Sequence, residues 1–253
     1  MTTRSEIVIF LDDYLVIDDF PDDSAWNGLQ IEGRESISKI VFTTDTGIQT
    51  FEQAIAIHAD MIVVHHGIFW KQSNPSIVSY TKKRVKLLLD NGISLYTAHL
   101  PLDKHPEVGN NAQLIELLGF TKDMPFAWYK GHYLSFIGKS DTPYSIDEIV
   151  RILKEKLSAQ CTVLPFGKKE IKTIAICSGG ADHVQLDEAI DRCVDLFIAG
   201  EAFECYHDVR DAGINVIFAG HHATEILGVK ALSNVVQERF NVEAYFIDIP
   251  TKL

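Results

Sequence analysis

Three short segments hold the residues best suited to chemistry. They are Val63-Val64-His65-His66-Gly67, Ala98-His99-Leu100-Pro101-Leu102-Asp103 and Gly220-His221-His222-Ala223-Thr224-Glu225. Each follows an apolar run, and together they hold five of the chain's ten histidines. Imidazoles and carboxylates without thiolate suit zinc, iron, manganese, cobalt or nickel. The set exceeds the roughly three protein ligands of one catalytic zinc. It fits two cations about 3.5–4 Å apart better. His99 and Asp103 have the same spacing as His221 and Glu225. A helix starting after Gly220 places His221 and Glu225 on one face. Pro101 disfavours a helix from His99, so that pair is expected to meet through a turn. Neighbouring side chains on a strand point to opposite faces. For His65 and His66 to share a site the chain must bend, which Gly67 permits.

Weaker candidates flank these segments. Glu201 and His207, in Gly200-Glu201-Ala202-Phe203-Glu204 and just beyond, could act as general base or acid beside the metals. The same stretch also reads as an ordinary helix start with surface polar residues. Asp45 is a similar candidate at a strand end. Ser178-Gly179-Gly180 reads as an anion-binding turn or, more simply, a plain turn. Cys177 reads as a small core residue. Trp26, Trp70 and Trp128 read as packing residues.

The elements that must position these side chains follow from hydrophobic periodicity. Thr3 and Glu6 form a capping box for a helix over residues 3–16. Residues 20–35 read as loop with a short apolar run. Strands are expected at 39–45, 60–64 and 92–97, with helices at 48–58 and 78–90 between them. The order recurs at 172–179, 194–200 and 211–220. A strand (133–137), a helix (145–157) and a strand (161–164) are expected to join the two copies. The fold class is therefore α/β, with duplicated halves whose parallel or mixed sheets are flanked by helices. The expected halves are residues 1–126, with the double-histidine and His99/Asp103 segments, and 127–253, with the His221/Glu225 segment.

Composition narrows the function. The 253 residues are 46% hydrophobic and 23% charged, as in ordinary globular chains, and the formal net charge is −12. So acidic a surface disfavours nucleic-acid binding, with Lys82, Lys83, Arg84 and Lys86 read as a solvated helix face. The four cysteines form no C-x-x-C, which argues against a thiolate zinc site or a disulfide scaffold. The opening apolar stretch is short and broken by Asp12 and Asp13. No membrane span is expected, and a cytoplasmic location is.

The combined set, with Ala25-Trp26-Asn27-Gly28-Leu29-Gln30, resembles the GTP cyclohydrolase 1 type 2 homologue (Nif-three-like) family over nearly the whole chain, in its short bacterial form. The resemblance implies a toroidal homohexamer with dinuclear metal centres. It implies ligands at His65, His66, Asp103, His221 and Glu225, with His99 either a further ligand or a residue that orients one. His222, adjacent to His221, is less suited. The chain departs from the family pattern before Asn27, where Ala25-Trp26 replaces the usual acidic residue. The leading expectation is a dinuclear metal-dependent hydrolase with two divalent ions (zinc, iron, manganese or similar). Its substrate would be a small molecule such as a purine nucleotide, in cyclohydrolase-like chemistry. The alternative is a non-catalytic metal-binding protein for storage, delivery or sensing, or a regulatory partner protein.

Overall fold

The structure, a computed structural model, describes residues 2–251. In chain order the first elements are β1 (Thr2–Thr3), α1 (Arg4–Leu15), β2 (Gly28–Ile31), β3 (Ser36–Ile37), β4 (Lys39–Asp45), α2 (Ile48–Ala56), β5 (Met61–His66), α3 (Ser79–Asp90), β6 (Ser94–Thr97) and α4 (Leu100–Lys104). Then come α5 (Asn110–Leu117), β7 (Thr121–Tyr129), β8 (His132–Tyr144), α6 (Ile146–Leu157), β9 (Thr162–Pro165) and β10 (Ile171–Cys177). The last are α7 (His183–Asp191), β11 (Leu196–Ala199), α8 (Tyr206–Ala212), β12 (Asn215–Phe218), α9 (His221–Phe240) and β13 (Glu243–Phe246).

The described residues form two compact units, residues 2–102 with 229–249, and 103–228 with 250–251. The expected halves divide the chain after residue 126. The compact units instead change over inside α4 and α9, so residues 103–126 go with the second unit and 229–249 with the first.

The first unit holds a five-stranded sheet in the order β13-β4-β5-β6-β2. β13, β4, β5 and β6 run parallel, and β2 closes the edge antiparallel to β6. Val41, Ile62, Val64 and Leu95 pack with Phe51 and Ala54 of α2 and Val85 and Leu88 of α3. The second unit holds a six-stranded sheet, β7-β8-β10-β11-β12-β9. Its β10, β11 and β12 are parallel, and β9 closes the edge antiparallel to β12. Ala175, Phe197 and Val216 pack with Leu186 of α7 and Val209 of α8. Every residue of β11 and all but the last of β5 are buried, as continuous apolar strands in an α/β layer must be. Among the described residues no helix is long and apolar enough to cross a membrane.

The duplication reaches further back than the strand runs indicate. Asp60, entering β5, accepts bonds from Ser38 N, Ser38 Oγ and Lys39 N, and pairs with Arg34 at 3.0 Å. Asp195, entering β11, accepts from Lys172 N, Thr173 N and Thr173 Oγ1, and pairs with Lys168 at 2.7 Å. Gly33 and Gly167, just before the two cations, pass so close to the next strand that a Cβ would strike its backbone. Both copies also open with a capping-box helix, Thr3/Glu6 on α1 and Ser145/Glu148 on α6. Residues 145–165 are therefore the opening of the second copy rather than a connector.

Two local expectations are corrected. A helix does follow His99: α4 takes Pro101 in its first turn, where the missing N–H has no intrahelical partner to lose. His65 and His66 both belong to β5, and the site needs no bend after them. Gly67 serves close approach instead, because a Cβ there would run into the Gln30 amide and Thr97 Oγ1.

Candidate metal centre

In the first unit, the carboxyl ends of β5 and β6 bring three imidazoles together. The His65 and His66 rings are 4.5 Å apart, and the His99 ring lies 5.1 Å from His65 and 5.6 Å from His66. One ring nitrogen from each lies within 4.8 Å of the others, close enough to share a cation. Each Nδ1 meets an oxygen. His65 Nδ1 donates to Ala98 O at 2.8 Å, His66 Nδ1 meets Asp45 Oδ1 at 2.7 Å, and His99 Nδ1 meets Asp23 Oδ1 at 2.8 Å. A carbonyl or carboxylate oxygen accepts, so these bonds place a proton on Nδ1 and leave Nε2 as the atom that could meet a cation. Strand register makes the Asp45 contact, because Asp45 of β4 lies opposite His66 of β5. The Asp23 contact comes from the loop before β2. Asp23 also accepts from Ala25 N, Asn27 Nδ2 and Leu100 N, while Asn27 Oδ1 accepts from His99 N. Burial opposes ionisation of Asp23, but the His99, Asn27 and Ala25 contacts outweigh it and lower its pKa to about 2. Trp70 stacks edge-on against His99 at 5.1 Å.

In the second unit, α9 begins directly after β12, with His221 as its first residue. Glu225, one turn on, sets Oε2 3.0 Å from His221 Nε2, as the i,i+4 spacing requires. His221 Nδ1 meets Glu201 Oε1 at 2.7 Å. Burial alone would hold the ring neutral, yet Glu225 and Glu201 overcome it and raise its pKa to about 9. Two carboxylates about one imidazole thus hold a proton where a cation could stand. Asp103 is buried at 5% exposure, with Oδ1 taking bonds from Asn110 Nδ2 at 2.8 Å and Ser178 Oγ at 3.2 Å. Burial first, then the charges of Asp103 and Glu225, push the Cys177 thiol up to about 12. It stays a neutral core thiol. Gly179 has φ +64°, and a Cβ there would collide with Glu225 Oε1. Glycine at this position leaves the carboxylate its space.

These donors fit a divalent cation. Imidazole Nε2 and carboxylate oxygens are borderline-to-hard ligands, and histidine ligands commonly donate their other ring N–H to a carboxylate or carbonyl. All four of His65, His66, His99 and His221 show that arrangement.

Residues 2–252 match the family model described as Duf34/NIF3 (NGG1p interacting factor 3). The chain belongs to the Duf34/NIF3 family. It is 46% identical to a GTP cyclohydrolase 1 type 2 homolog of Pyrococcus abyssi, with 99% of each chain covered. It is 44% identical to the homolog of Archaeoglobus fulgidus, over 98% of this chain and 99% of that one. Among solved structures, the ybgI protein, described as of unknown function, matches 99% of this chain and 100% of its own at 36% identity and a TM-score of 0.92.

Within this Duf34/NIF3 fold each unit groups part of the set singled out on sequence. His65, His66 and His99 are grouped in the first unit, and His221, Glu225 and Glu201 are grouped in the second. The carboxylate against His99 Nδ1 is Asp23. Glu201 stands behind a histidine, as Asp45 does. His207 lies on α8, exposed, with its ring edge-on to Tyr206 at 5.4 Å. His222 is buried at 7% exposure. Of the tryptophans, Trp70 packs beside the histidines, whereas Trp26 and Trp128 are about half exposed. The spacing of the two His/carboxylate pairs is not a strict repeat. Strand register sets Ser94 and Asn215 at matching positions, so His99 corresponds to Gly220 and His221 falls one residue later. Sequence reasoning missed Asp23 and Asn110. The acidic pair Asp22-Asp23 in an otherwise loop-like segment was the available signal for the first.

Proposed function

We propose that this chain is a divalent-metal-dependent hydrolase of small molecules. The proposed ligands are His65, His66 and His99 in the first unit and Asp103, His221 and Glu225 in the second. They would hold divalent ions such as zinc, iron or manganese, two per chain as the family resemblance implies. What supports the reading is the uniform Nδ1 anchoring of the four histidines, which leaves Nε2 as the ring nitrogen that would meet a cation. Bound metal would lower the pKa of a water and polarise a substrate oxygen. The chain's own part is to orient the imidazoles through Asp45, Asp23, Glu201 and Ala98 O, and to hold Asp103 through Asn110 and Ser178. Glu201, on the surface beside His221, is the better placed of the two proposed acid–base residues. His207 is the second. The relatives' shared name motivates a purine nucleotide as the first substrate to test. A cytoplasmic homohexamer that binds neither nucleic acid nor membrane completes the proposal.

The test is elemental analysis of tag-free protein, followed by turnover assays with GTP and related nucleotides after loading with zinc, manganese or iron. Near two metals per chain, falling in Glu225→Ala, with turnover lost in His65→Ala and Asp103→Ala, is the expected result. Full metal content with turnover no greater than in those variants would leave a storage or delivery protein in place of the hydrolase.

A further inference from the structure

We propose that the adjacent amides Asn110 and Asn111 are positioning residues that set Asp103 and the Glu225 turn of α9 in ligating geometry before any cation binds. The inference rests on the metal reading above. Both side chains are buried, at 0% and 2% exposure, in the first turn of α5. Asn110 Nδ2 donates to Asp103 Oδ1 at 2.8 Å, and Asn110 Oδ1 accepts from Gly228 N at 2.7 Å, three residues beyond Glu225. Asn111 Nδ2 donates to Asp103 O at 3.3 Å and to Leu134 O at 2.9 Å. Asn111 Oδ1 accepts from Ser178 N at 2.8 Å, and Ser178 Oγ returns a bond to Asp103 Oδ1 at 3.2 Å. Two neighbouring amides thus join the ligand carboxylate, the loop after β10 and the helix that carries Glu225. The neutral donors Asn110 Nδ2 and Ser178 Oγ hold Asp103 Oδ1 without neutralising the carboxylate, and Asn111 holds the Asp103 backbone oxygen, so the charge remains for a cation.

Gly228 shows that the sequence accommodates this contact. Glycine inside a helix is less favourable than alanine by about 1 kcal/mol. A Cβ at 228 would stand 2.5 Å from Asn110 Oδ1 and 2.9 Å from its Cγ. The helix accepts the weaker residue where the amide comes in. Asn215 supplies the contrast. It is equally buried, but it bonds only backbone groups: Gly167 N, Lys168 O and Asp195 O. A buried asparagine that only staples loops has that pattern; Asn110 instead holds a carboxylate.

The experiment measures zinc and manganese affinity of full-length, metal-stripped protein by competition with a fluorescent chelator, alongside thermal unfolding of the same metal-free samples. Asn110→Ala and Gly228→Ala are expected to bind zinc about 10–100-fold more weakly than wild type. Asn215→Ala is expected to melt lower with unchanged zinc affinity. Should Asn110→Ala fail to fold, Ser178→Ala, which removes only one donor to Asp103, is expected to show a smaller loss in the same direction. Wild-type affinity in Asn110→Ala, or in Ser178→Ala where that variant stands in, overturns the inference alone. So does an equal loss in Asn215→Ala. A wild-type chain that takes up neither metal overturns the metal reading and this inference with it.

Discussion

Replacing Asp23 by asparagine keeps its shape and removes its charge. The side chain is 2% exposed and accepts from Ala25 N, Asn27 Nδ2, Leu100 N and His99 Nδ1. Against burial, these contacts lower its pKa from 3.8 to about 2. At about 1.36 kcal/mol per pKa unit, that is roughly 2 kcal/mol of stability at neutral pH. The asparagine NH2 must also face a donor that the carboxylate had satisfied, adding about 1 kcal/mol. For a chain of this size about 3 kcal/mol lowers the melting temperature by roughly 6–12 °C. The sign with pH follows from a depressed carboxyl. The charge contribution is whole above 3.8, declines as pH falls toward 2 and is gone below it. Differential scanning calorimetry of metal-free wild type and Asp23→Asn should therefore show a steady gap from pH 7 to about 5 that narrows on further acidification. The variant should also bind zinc about 10–100-fold more weakly, because His99 loses its anionic anchor. A gap of under about 2 °C at pH 7, or one that stays constant into acid, would refute the assignment of Asp23 as a buried charged anchor.

Two further outcomes follow from the anchored histidines and the crowded glycine. Asp45→Asn and Glu201→Gln remove the negative charge behind His66 and His221, so each should weaken zinc binding about 10–100-fold in chelator competition. Their carboxylates are partly solvated, so melting should shift by only a few degrees in each. Gly179→Ala forces a left-handed backbone on a residue with a Cβ, at about 1–2 kcal/mol, and drives that Cβ into Glu225. It should lower both the melting temperature and metal affinity, and an unchanged affinity would show that Glu225 has room to move.

The parallel strands were legible because burial on both faces leaves a continuous apolar signature, as in Asp60-Met61-Ile62-Val63-Val64. The β7–β8 hairpin was only half legible. Pro125 sits inside β7, and proline in a strand argues against one unless the strand is an edge, as β7 is. β2 was hidden in a polar loop, since its four residues include Gln30, whose side chain serves the Ile68 and Phe69 amides. The extent of the duplication was hidden for a different reason. It is carried by Asp60 and Asp195, one carboxylate in each copy, whose bonds to the backbone of a preceding strand leave no periodic trace. In the site, the candidate ligands were legible because histidines and carboxylates at strand ends are chemically distinctive. Their anchors were not. One is the backbone oxygen of Ala98, and another, Asp23, lies 76 positions from the histidine it holds.

The two copies apply one scaffold to different chemistry. Counting from the paired Asp60 and Asp195, His66 and Glu201 occupy the same strand-end position, and Asp45 and Gly179 occupy another. In the first copy that position carries an imidazole whose anchor, Asp45, comes from the strand before it. In the second it carries the anchor itself, and the imidazole, His221, comes from the helix after the next strand. A carboxylate at position 179 would meet Glu225 there, which the glycine avoids. The scaffold carboxylates sit where strands begin and the variable residues where they end. The chemistry at one end could therefore diverge while the bonds that hold the sheet at the other stayed the same. This separation explains why the first unit presents three anchored imidazoles, two of them backed by acids, and the second presents exposed and buried acids around a single imidazole.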